Sequence, residues 1–320
     1  MTIAPRGELV RHAHRSIARG SKSFAAASRL FARQERERVW LLYAWCRACD
    51  DLADMQEMGG PLGDQSDPEA RLAIIRSRTA LALAGKPTGD PAFDGFGVVA
   101  AECGITAEDA EDVIAGFALD SADWRPRSEA DMMQYCYHVA GAVGVMMALV
   151  MGVSREDEET LDRACDLGLA FQLANIVRDV CEDDAAGRCY LPVEWLVEED
   201  IPPGEHMKPP YRAALVRLVA RACAIARSHQ ASARIGAAAL PYRARWAILS
   251  ASGIYGKIAE LVQDAGPAAW DHRAGTRRWA KFGFVTRSAA QALRAPGPEC
   301  HHLAQQRRWS RRQFATGARG

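Results

Sequence analysis

The sequence lacks several features that would assign it to a particular class of protein. Its 40 basic and 40 acidic side chains cancel, so it has no positive excess of the kind that nucleic-acid-binding proteins carry. The first 24 residues contain no apolar core that could serve as a signal peptide, and the nine cysteines are scattered and odd in number. We therefore predict a cytoplasmic protein with reduced thiols and no nucleic-acid partner.

A second cysteine pair and a clear membrane span are also missing. Cys46 and Cys49 have the spacing of a zinc or redox motif, but no other pair faces them, so we interpret them as small apolar residues of a helix core. Residues 132–154 carry no formal charge and are long enough to cross a bilayer. Their apolar part, residues 139–153, is short and rich in glycine and alanine, which favours a buried core helix.

No alternating apolar pattern indicates a β-sheet, whereas apolar residues recur three and four positions apart through much of the chain. This periodicity predicts a single all-α domain of many helices around a central cavity, over residues 1–300. Residues 301–320 hold five arginines and no acid, and we predict a basic, flexible tail there. The predicted long helices cover residues 35–57, 107–122, 131–153, 156–186, 211–239 and 243–265.

Two of these helices carry polar stripes. Residues three and four apart share one face of a helix. In the first helix the stripe holds Tyr43, Arg47, Asp50 and Asp54; in the second it holds Gly168, Gln172, Asn175, Asp179 and Asp183, with Arg178 beside it.

A solvated face is the ordinary interpretation of one such stripe. Here apolar residues surround both stripes, and aspartates near the end of a helix oppose its dipole at a cost of about 0.3 to 1 kcal/mol each. Two helices that both end in aspartates, against the preference of the helix dipole, indicate a functional site. Bound cations would remove this electrostatic conflict. The carboxylate and amide oxygens suit Mg²⁺, with Mn²⁺ as an alternative.

Other metals fit the sequence less well. A di-iron bundle needs two Glu-x-x-His motifs on helices, and only Glu299–His302 has this spacing. Arg47 and Arg178 each lie next to a carboxylate and could meet anionic oxygens there. Carboxylates, Mg²⁺ and arginines around an apolar cavity describe a site for a diphosphate on an apolar tail, whose departure the cations would stabilise.

Four motifs carry a family resemblance. "CDDLAD" and "NIVRDVCEDDAAGRCYLP" resemble the paired aspartate motifs of the squalene/phytoene synthase family, "YCYHVAGAVGVMM" a third signature and "GSKSF" a fourth. The likeness runs from about residue 10 to about residue 295, and within the family it is greatest to the bacterial phytoene synthases. It implies an isoprenoid-synthase-type helical fold.

The resemblance also implies a reaction. Two geranylgeranyl diphosphates condense head to head through prephytoene diphosphate to phytoene, with Mg²⁺ and without the nicotinamide cofactor that squalene synthases use. The same chemistry on farnesyl diphosphate, giving a squalene or dehydrosqualene type of product, remains an alternative. A non-catalytic helical scaffold is a second alternative, against which the four intact aspartates argue.

The resemblance assigns roles to individual residues of this chain. Asp50, Asp54, Asn175, Asp179 and Asp183 correspond to metal ligands and their polar neighbours. Tyr43, Tyr190 and Tyr255 correspond to tyrosines that line the reacting centre. The positions implied to bind substrate are Ser21, Lys22, Ser23, Phe24, Arg47, Tyr135, Gln172, Asn175 and Arg178.

Three further expectations concern the small residues of the third motif, the C-terminal tail and the oligomeric state. Ala140, Gly141 and Gly144 leave room either for a substrate tail or for close helix packing, and the sequence does not separate the two. The tail is either solvated or a peripheral contact with the inner membrane surface, because its arginines alternate with Trp309 and Phe314. We expect a monomer or a weak dimer.

Overall fold

The computed structural model describes residues 2–55, 63, 66–122, 124–275 and 278–317, without the side chains of residues 22–23, 278–282 and 315–317. Within these residues the chain forms α-helices, short 3₁₀ turns and one π-helical turn, and no strand, which confirms the predicted all-α class. In chain order the α-helices are α1 (Arg6–Gly20), α2 (Lys22–Ser28), α3 (Arg33–Asp54), α4 (Pro68–Leu83), α5 (Pro91–Cys103), α6 (Ala107–Ser121), α7 (Glu129–Cys136), α8 (Ala142–Val150), α9 (Glu158–Arg178), α10 (Val180–Ala185), α11 (Val193–Glu198), α12 (Arg212–Gly236), α13 (Tyr242–Ala265), α14 (Arg278–Gln291), α15 (Pro298–Gln305) and α16 (Arg311–Gly317).

The chain divides into two compact units, and the first comprises residues 1–122 and 145–157. Helix α3 lies at its centre and packs against α1, α4, α5 and α6. Apolar residues at helical spacing drive this burial; Leu41, Leu42, Trp45 and Cys49 are each at most 1 % exposed. The helix ends at Asp54 because Met55 adopts a left-handed conformation, with φ of 49°.

The second unit comprises residues 123–144 and 158–320. Helix α9 is its core element and packs against α12, α13 and the π-helical turn at Tyr137–Gly141. This turn interrupts the predicted helix over residues 131–153. A Cβ atom on Gly168 would lie 2.1 Å from the carbonyl oxygen of Ala140, so the two segments are in backbone contact. Close helix packing therefore explains the small residues of this signature.

The uncharged segment is mostly buried. One run of described residues, Glu129–Val150, is long and apolar enough to cross a membrane by length and composition alone. In the structure 67 % of its most apolar window is buried, as in the core helix of a folded domain. The cysteines of the Cys-x-x-Cys spacing are unpaired, and burial raises the pKa of Cys46 to about 12. An inert core thiol fits this environment.

The C-terminal segment differs from the flexible tail that the sequence predicts. Helices α15 and α16 belong to the second unit, and Phe314 is only 4 % exposed. Arg308 pairs with Glu129 at 2.6 Å, and Arg311 pairs with Asp162 at 2.8 Å. The C-terminal segment, residues 301–320, has no acidic residues, but acids that are far away in sequence form ion pairs with its arginines. These ion pairs stabilise its folded conformation. The last three residues lie outside the described part of the chain.

Candidate active site

The first polar stripe occupies one face of α3 in the first unit. Arg47 Nη1 donates to Asp50 Oδ2 at 2.6 Å and lies 3.7 Å from Asp51 Oδ1. The side chains of Arg47 and Asp51 are mostly shielded, at 22 % and 18 % exposed, whereas Asp50 is 39 % exposed. The arginine is thus held at the carboxylates while Asp50 keeps an open side.

Burial, and after it the neighbouring carboxylates, perturb the pKa of Asp50. Burial raises its pKa from 3.8 to about 6; Arg47 opposes this, but nearby Asp54, Asp51 and Asp120 raise it further. Asp120 lies at the end of α6, and its sequence neighbourhood gave no sign that it belongs here. A group of carboxylates that pushes one member towards its neutral form is an electrostatic conflict that a cation would relieve.

A buried arginine supports the end of the same helix. Arg71 on α4 is 8 % exposed, and its Nε donates to the carbonyl oxygen of Ala53 at 3.0 Å, while Nη1 donates to the carbonyl of Ser66. Carbonyls in the last turn of a helix have no partner within the helix. Arg71 therefore supplies both a donor and a positive charge where the three aspartates of α3 oppose the helix dipole.

The predicted N-terminal segment lies beside this stripe. Ser21 caps α2, with its Oγ accepting from the backbone N–H of Phe24 at 3.3 Å. The ring of Phe24 lies 5.7 Å from the ring of Tyr43 on α3. Burial raises the pKa of Tyr43, and Arg47 opposes that shift. The side chains of Lys22 and Ser23 lie outside the described residues.

The second stripe lies in the second unit. The sequence predicts one continuous helix over residues 156–186, but the structure has two helices there. Helix α9 ends at Arg178, and Asp179 stands at the N-cap of the short α10, with φ of −97° and ψ of 14°. Asp183 therefore lies in the first turn of α10, where a carboxylate is favourable to the dipole. The dipole conflict that the sequence indicates holds for the first motif and not for Asp183.

Two arginines enclose Asp179. The Nε atoms of Arg178 and Arg273 donate to its Oδ1 at 2.7 and 2.9 Å, and the carboxylate is 16 % exposed. Burial raises the pKa of Asp179, but the hydrogen bonds from the two arginines outweigh it and leave the pKa below its usual value. The polar stripe continues up α9, where Asn175 Nδ2 donates to Gln172 Oε1 at 3.3 Å.

Arg273 was not found from the sequence, because it lies in a loop 94 positions from its partner. Trp270 explains how this loop is placed. It is 5 % exposed, and its indole N–H donates at 2.9 Å to the carbonyl oxygen of Val177, the residue before the last one of α9. A buried indole that satisfies a carbonyl near the end of α9 fixes the loop that carries Arg273.

Aromatic rings surround this second stripe. Tyr255 on α13 stacks on Phe171 of α9 with ring centroids 4.1 Å apart, and burial raises its pKa. Tyr135 stacks on Tyr190 at 4.7 Å and lies 5.7 Å from the ring of Trp124. The structure therefore gathers three of the four tyrosines predicted for the site into two stacks within one unit. A cavity of about 360 Å³ borders Phe171 and Tyr255.

The first unit has a cavity of its own, of about 610 Å³, on the face of α3 next to the polar stripe. Arg47 and Asp51 line it together with Arg15 and Arg19 of α1. Residues of a single unit line each of these two cavities. The single central cavity that the sequence predicts therefore stays a prediction.

Comparison with known proteins gives the family. The sequence profile described as squalene/phytoene synthase matches residues 17–280. The chain belongs to the squalene/phytoene synthase family. It is 44 % identical over 303 residues to a 15-cis-phytoene synthase of Pantoea ananas, covering 93 % of this chain and 97 % of the relative. It is 45 % identical over 289 residues to a phytoene synthase of Pseudescherichia vulneris, covering 90 % and 93 %.

Solved structures agree on the fold of this squalene/phytoene synthase. A dehydrosqualene synthase in complex with ligand superposes with a TM-score of 0.79 at 24 % identity, over 89 % of this chain and 96 % of that one. The squalene synthase HpnC of Alicyclobacillus acidocaldarius gives 0.72 at 22 % identity, over 82 % and 97 %. These likenesses establish the isoprenoid-synthase helical fold that the motifs imply.

The donor atoms of this family member fit a hard divalent cation. Both stripes offer carboxylate oxygens, and the second adds the Gln172 and Asn175 amides. Among the described residues no three His, Cys, Asp or Glu side chains form a group that could hold a metal. Mg²⁺ in proteins is usually held by one or two carboxylates together with substrate phosphates and water.

Proposed function

We propose that the chain condenses two molecules of geranylgeranyl diphosphate head to head into phytoene, the first committed step of carotenoid biosynthesis. One observation carries this proposal: 44–45 % identity, over nine-tenths of the chain, to bacterial proteins named phytoene synthase. The geometry of the two aspartate motifs supports it, since each places carboxylates next to arginines.

The reaction consists of two ionisations. In the first, the C1–O bond of one substrate breaks, its diphosphate leaves, and C1 adds to the double bond of the second substrate. Loss of a proton closes a cyclopropane ring and gives prephytoene diphosphate. In the second, that diphosphate leaves, the cation rearranges, and loss of another proton gives phytoene. No reductant enters this balance, so no nicotinamide cofactor is expected.

The arginines of this chain bind the departing anion. Arg47 in the first unit, and Arg178 and Arg273 in the second, already hold carboxylates through charge-assisted hydrogen bonds. In the proposal their remaining donors turn to diphosphate oxygens as the substrate arrives. Cations aimed at the leaving group stabilise the negative charge that develops on it, which is the largest catalytic contribution that such a site offers.

The aspartates of the two motifs would hold the metal. We propose Mg²⁺, with Mn²⁺ as an alternative, bound by Asp50 and Asp54 in one motif and by Asp179 and Asp183, with Asn175 beside them, in the other. When bound, the cation neutralises diphosphate charge and acts as a Lewis acid on the leaving oxygen. The raised pKa of Asp50 supports this assignment, because a cation would stabilise a carboxylate whose charged form is disfavoured first by burial and then by its neighbouring aspartates.

The tyrosines supply faces for the carbocations. Tyr190 is buried and Tyr255 is half-buried, and each is stacked on another ring, so together they offer an aromatic surface that is largely shielded from water. A cation over a ring gains about 2 kcal/mol when both are desolvated. Excluding water also protects the intermediates from capture, which would give an alcohol in place of the hydrocarbon.

Product identification tests the proposal. Purified protein is incubated with Mg²⁺ and either geranylgeranyl or farnesyl diphosphate, with and without NADPH, and the extracted hydrocarbons are identified by mass spectrometry. Phytoene from the longer substrate without reductant is expected. A product formed only from farnesyl diphosphate, or only with NADPH, would favour squalene-type chemistry, and no product in any arm would favour the scaffold alternative. Asp50→Asn serves as the inactive control.

Placement in the cell is a further part of the proposal. We propose a cytoplasmic protein that contacts the inner membrane surface peripherally, because both substrate and product are lipids. Ion pairs with Asp166, Glu129 and Asp162 occupy Arg307, Arg308 and Arg311, which leaves the C-terminal segment with less charge for this contact than its composition indicates. Vesicles with and without anionic lipid, at low and high salt, test the contact.

A further inference from the structure

Helix α7 lies between two contacts made by one C-terminal segment. We call residues 307–314 the C-terminal strap. The strap reaches the first residue of α7 through Arg308 and Trp309, and the residue directly after α7 through Phe314. All of these residues belong to the second unit, and both contacts are formed by side chains that are brought together only by the fold.

The first contact is a buried carboxylate. Glu129 begins α7, and its side chain is 7 % exposed. Its Oε1 accepts from Arg308 Nη2 at 2.6 Å and from Trp309 Nε1 at 3.0 Å, while Oε2 accepts from Arg221 Nη2 at 3.1 Å. A shielded carboxylate with three donors resists displacement, because moving any donor away leaves buried charge without a partner.

The second contact is a ring stack. The ring of Phe314 lies 5.5 Å from the ring of Tyr137, at an interplanar angle of 25°, and the ring of Trp309 also stacks with Phe314 at 6.1 Å. Tyr137 and Phe314 are 2 % and 4 % exposed. Tyr137 opens the π-helical turn that follows α7. The stack therefore fixes the helix at the point where its hydrogen-bonding pattern changes, which is a place where a helix can otherwise shift.

The strap itself is anchored on α9. Arg311 Nε donates to Asp162 Oδ1 at 2.8 Å, and Arg307 donates to the fully buried Asp166, which His229 also contacts at 2.8 Å. The strap thus joins α7 to α9, the helix that leads into the second aspartate motif. Between the two contacts on α7 stands Tyr135, whose ring stacks on Tyr190.

We propose that the C-terminal strap holds Tyr135 in its working position, with Glu129 and Phe314 as positioning residues that act through α7. This inference rests on the proposed function, because it assigns the strap an effect on turnover through Tyr135, a tyrosine expected to bind substrate. Without the strap α7 keeps its caps and its packing against α9 but loses the strap contacts at Glu129 and Tyr137, and the Tyr135 ring loses its register with Tyr190.

A double-mutant cycle tests the coupling. Phe314→Leu keeps an apolar side chain of similar volume but removes the ring, and we expect kcat for phytoene formation to fall about fivefold, with KM changed less than about twofold. In the Tyr135→Leu background the same substitution should change kcat less than about twofold, since the residue through which it acts is gone. Equal fold-changes in both backgrounds would mean that the strap is merely structural and would overturn the inference.

Two variants control this cycle. Phe314→Tyr restores the ring and should restore kcat. Arg312→Ala alters a strap side chain that is 69 % exposed and pairs with α9, so it should leave kcat unchanged. Glu129→Gln probes the other contact and should reproduce the loss seen in Phe314→Leu.

A readout without substrate separates this inference from the proposed function. Hydrogen exchange of residues 130–141 should quicken at least tenfold in Phe314→Leu and in Glu129→Gln, and stay unchanged in Arg312→Ala. Unchanged exchange in the first two variants overturns the strap. Absence of phytoene from the unmodified protein, together with quickened exchange, overturns only the proposed reaction and leaves the strap as a holder of α7.

Discussion

Replacing the two leading aspartates by asparagine should change stability in opposite directions. Asp50→Asn and Asp179→Asn are the same chemical change, and both should abolish turnover if both residues bind the cation. Their surroundings differ: other carboxylates crowd Asp50, whereas two arginines enclose Asp179. At neutral pH we therefore expect the first variant to be more stable than the unmodified protein and the second to be less stable.

The magnitude for Asp50 follows from its pKa. A rise from 3.8 to about 6 corresponds to about 3 kcal/mol between the ionised and neutral forms. Because the side chain is 39 % exposed, solvent screens much of this, and about 1 kcal/mol remains. A raised pKa means that the penalty is present above pH 6 and absent below the unfolded value of 3.8. The gain in Asp50→Asn should therefore vanish as the pH falls through this range.

The magnitude for Asp179 follows from its hydrogen bonds. Its lowered pKa means that it stabilises the fold above the unfolded value of 3.8 and loses that contribution as the pH falls below it. Removing the charge leaves Arg178 and Arg273 with a weaker acceptor, at a cost of about 1 to 3 kcal/mol at neutral pH.

Thermal and denaturant unfolding of both variants at about pH 7.5 and about pH 4, without added cation, measure these effects. Melting points should rise by about 2 °C for Asp50→Asn and fall by several degrees for Asp179→Asn at the higher pH. At the lower pH the gain in Asp50→Asn should largely vanish, whereas most of the loss in Asp179→Asn should remain, because that carboxylate gives up its contribution only below pH 3.8. Lower stability of Asp50→Asn at neutral pH, or a gain that persists in acid, would refute the electrostatic reasoning. Full activity in either variant would refute the metal assignment.

Three further substitutions test contacts that only the structure shows. Gly168→Ala should lower the free energy of unfolding by about 3 kcal/mol or more, because its Cβ would overlap the backbone of Ala140. Gly7→Ala on α1 is the control: the nearest atom to its Cβ would be 3.7 Å away, so stability should be unchanged or slightly higher. Equal melting points for the two variants would contradict this. Trp270→Phe removes the indole donor of the Val177 carbonyl and loosens the loop that carries Arg273. The KM for the diphosphate substrate should therefore rise, and an unchanged KM would disprove this role. Arg71→Leu should lower the free energy of unfolding by about 1 to 3 kcal/mol and weaken Mg²⁺ binding at the first motif. Arg76→Leu, which removes an exposed ion pair, is the control, and an equal loss in that variant would show that the position of Arg71 has no special role.

Helix positions and the members of each stripe were readable from the sequence because they depend on local spacing. Residues three or four apart meet on a helix whatever surrounds it, so the stripe on α3 and the pairing of Gln172 with Asn175 needed no tertiary information. The four motifs likewise sufficed for the family, which the profile match and the relatives confirm.

Tertiary packing decided the rest. Asp120 reaches the first motif and Arg273 the second from distant parts of the chain, and no periodicity links them to their partners. The break of the helix at Asp179 and the burial of Phe314 likewise depend on neighbours far away in sequence. The prediction of a flexible tail rested on the composition of the C-terminal segment alone. Once the chain has folded, the arginines of this segment pair with acids that are far away in sequence and largely buried. The sequence therefore determined the family and which polar side chains share a helix face, and the fold determined the pKa shifts of those side chains, their partners and the contacts that hold them in place.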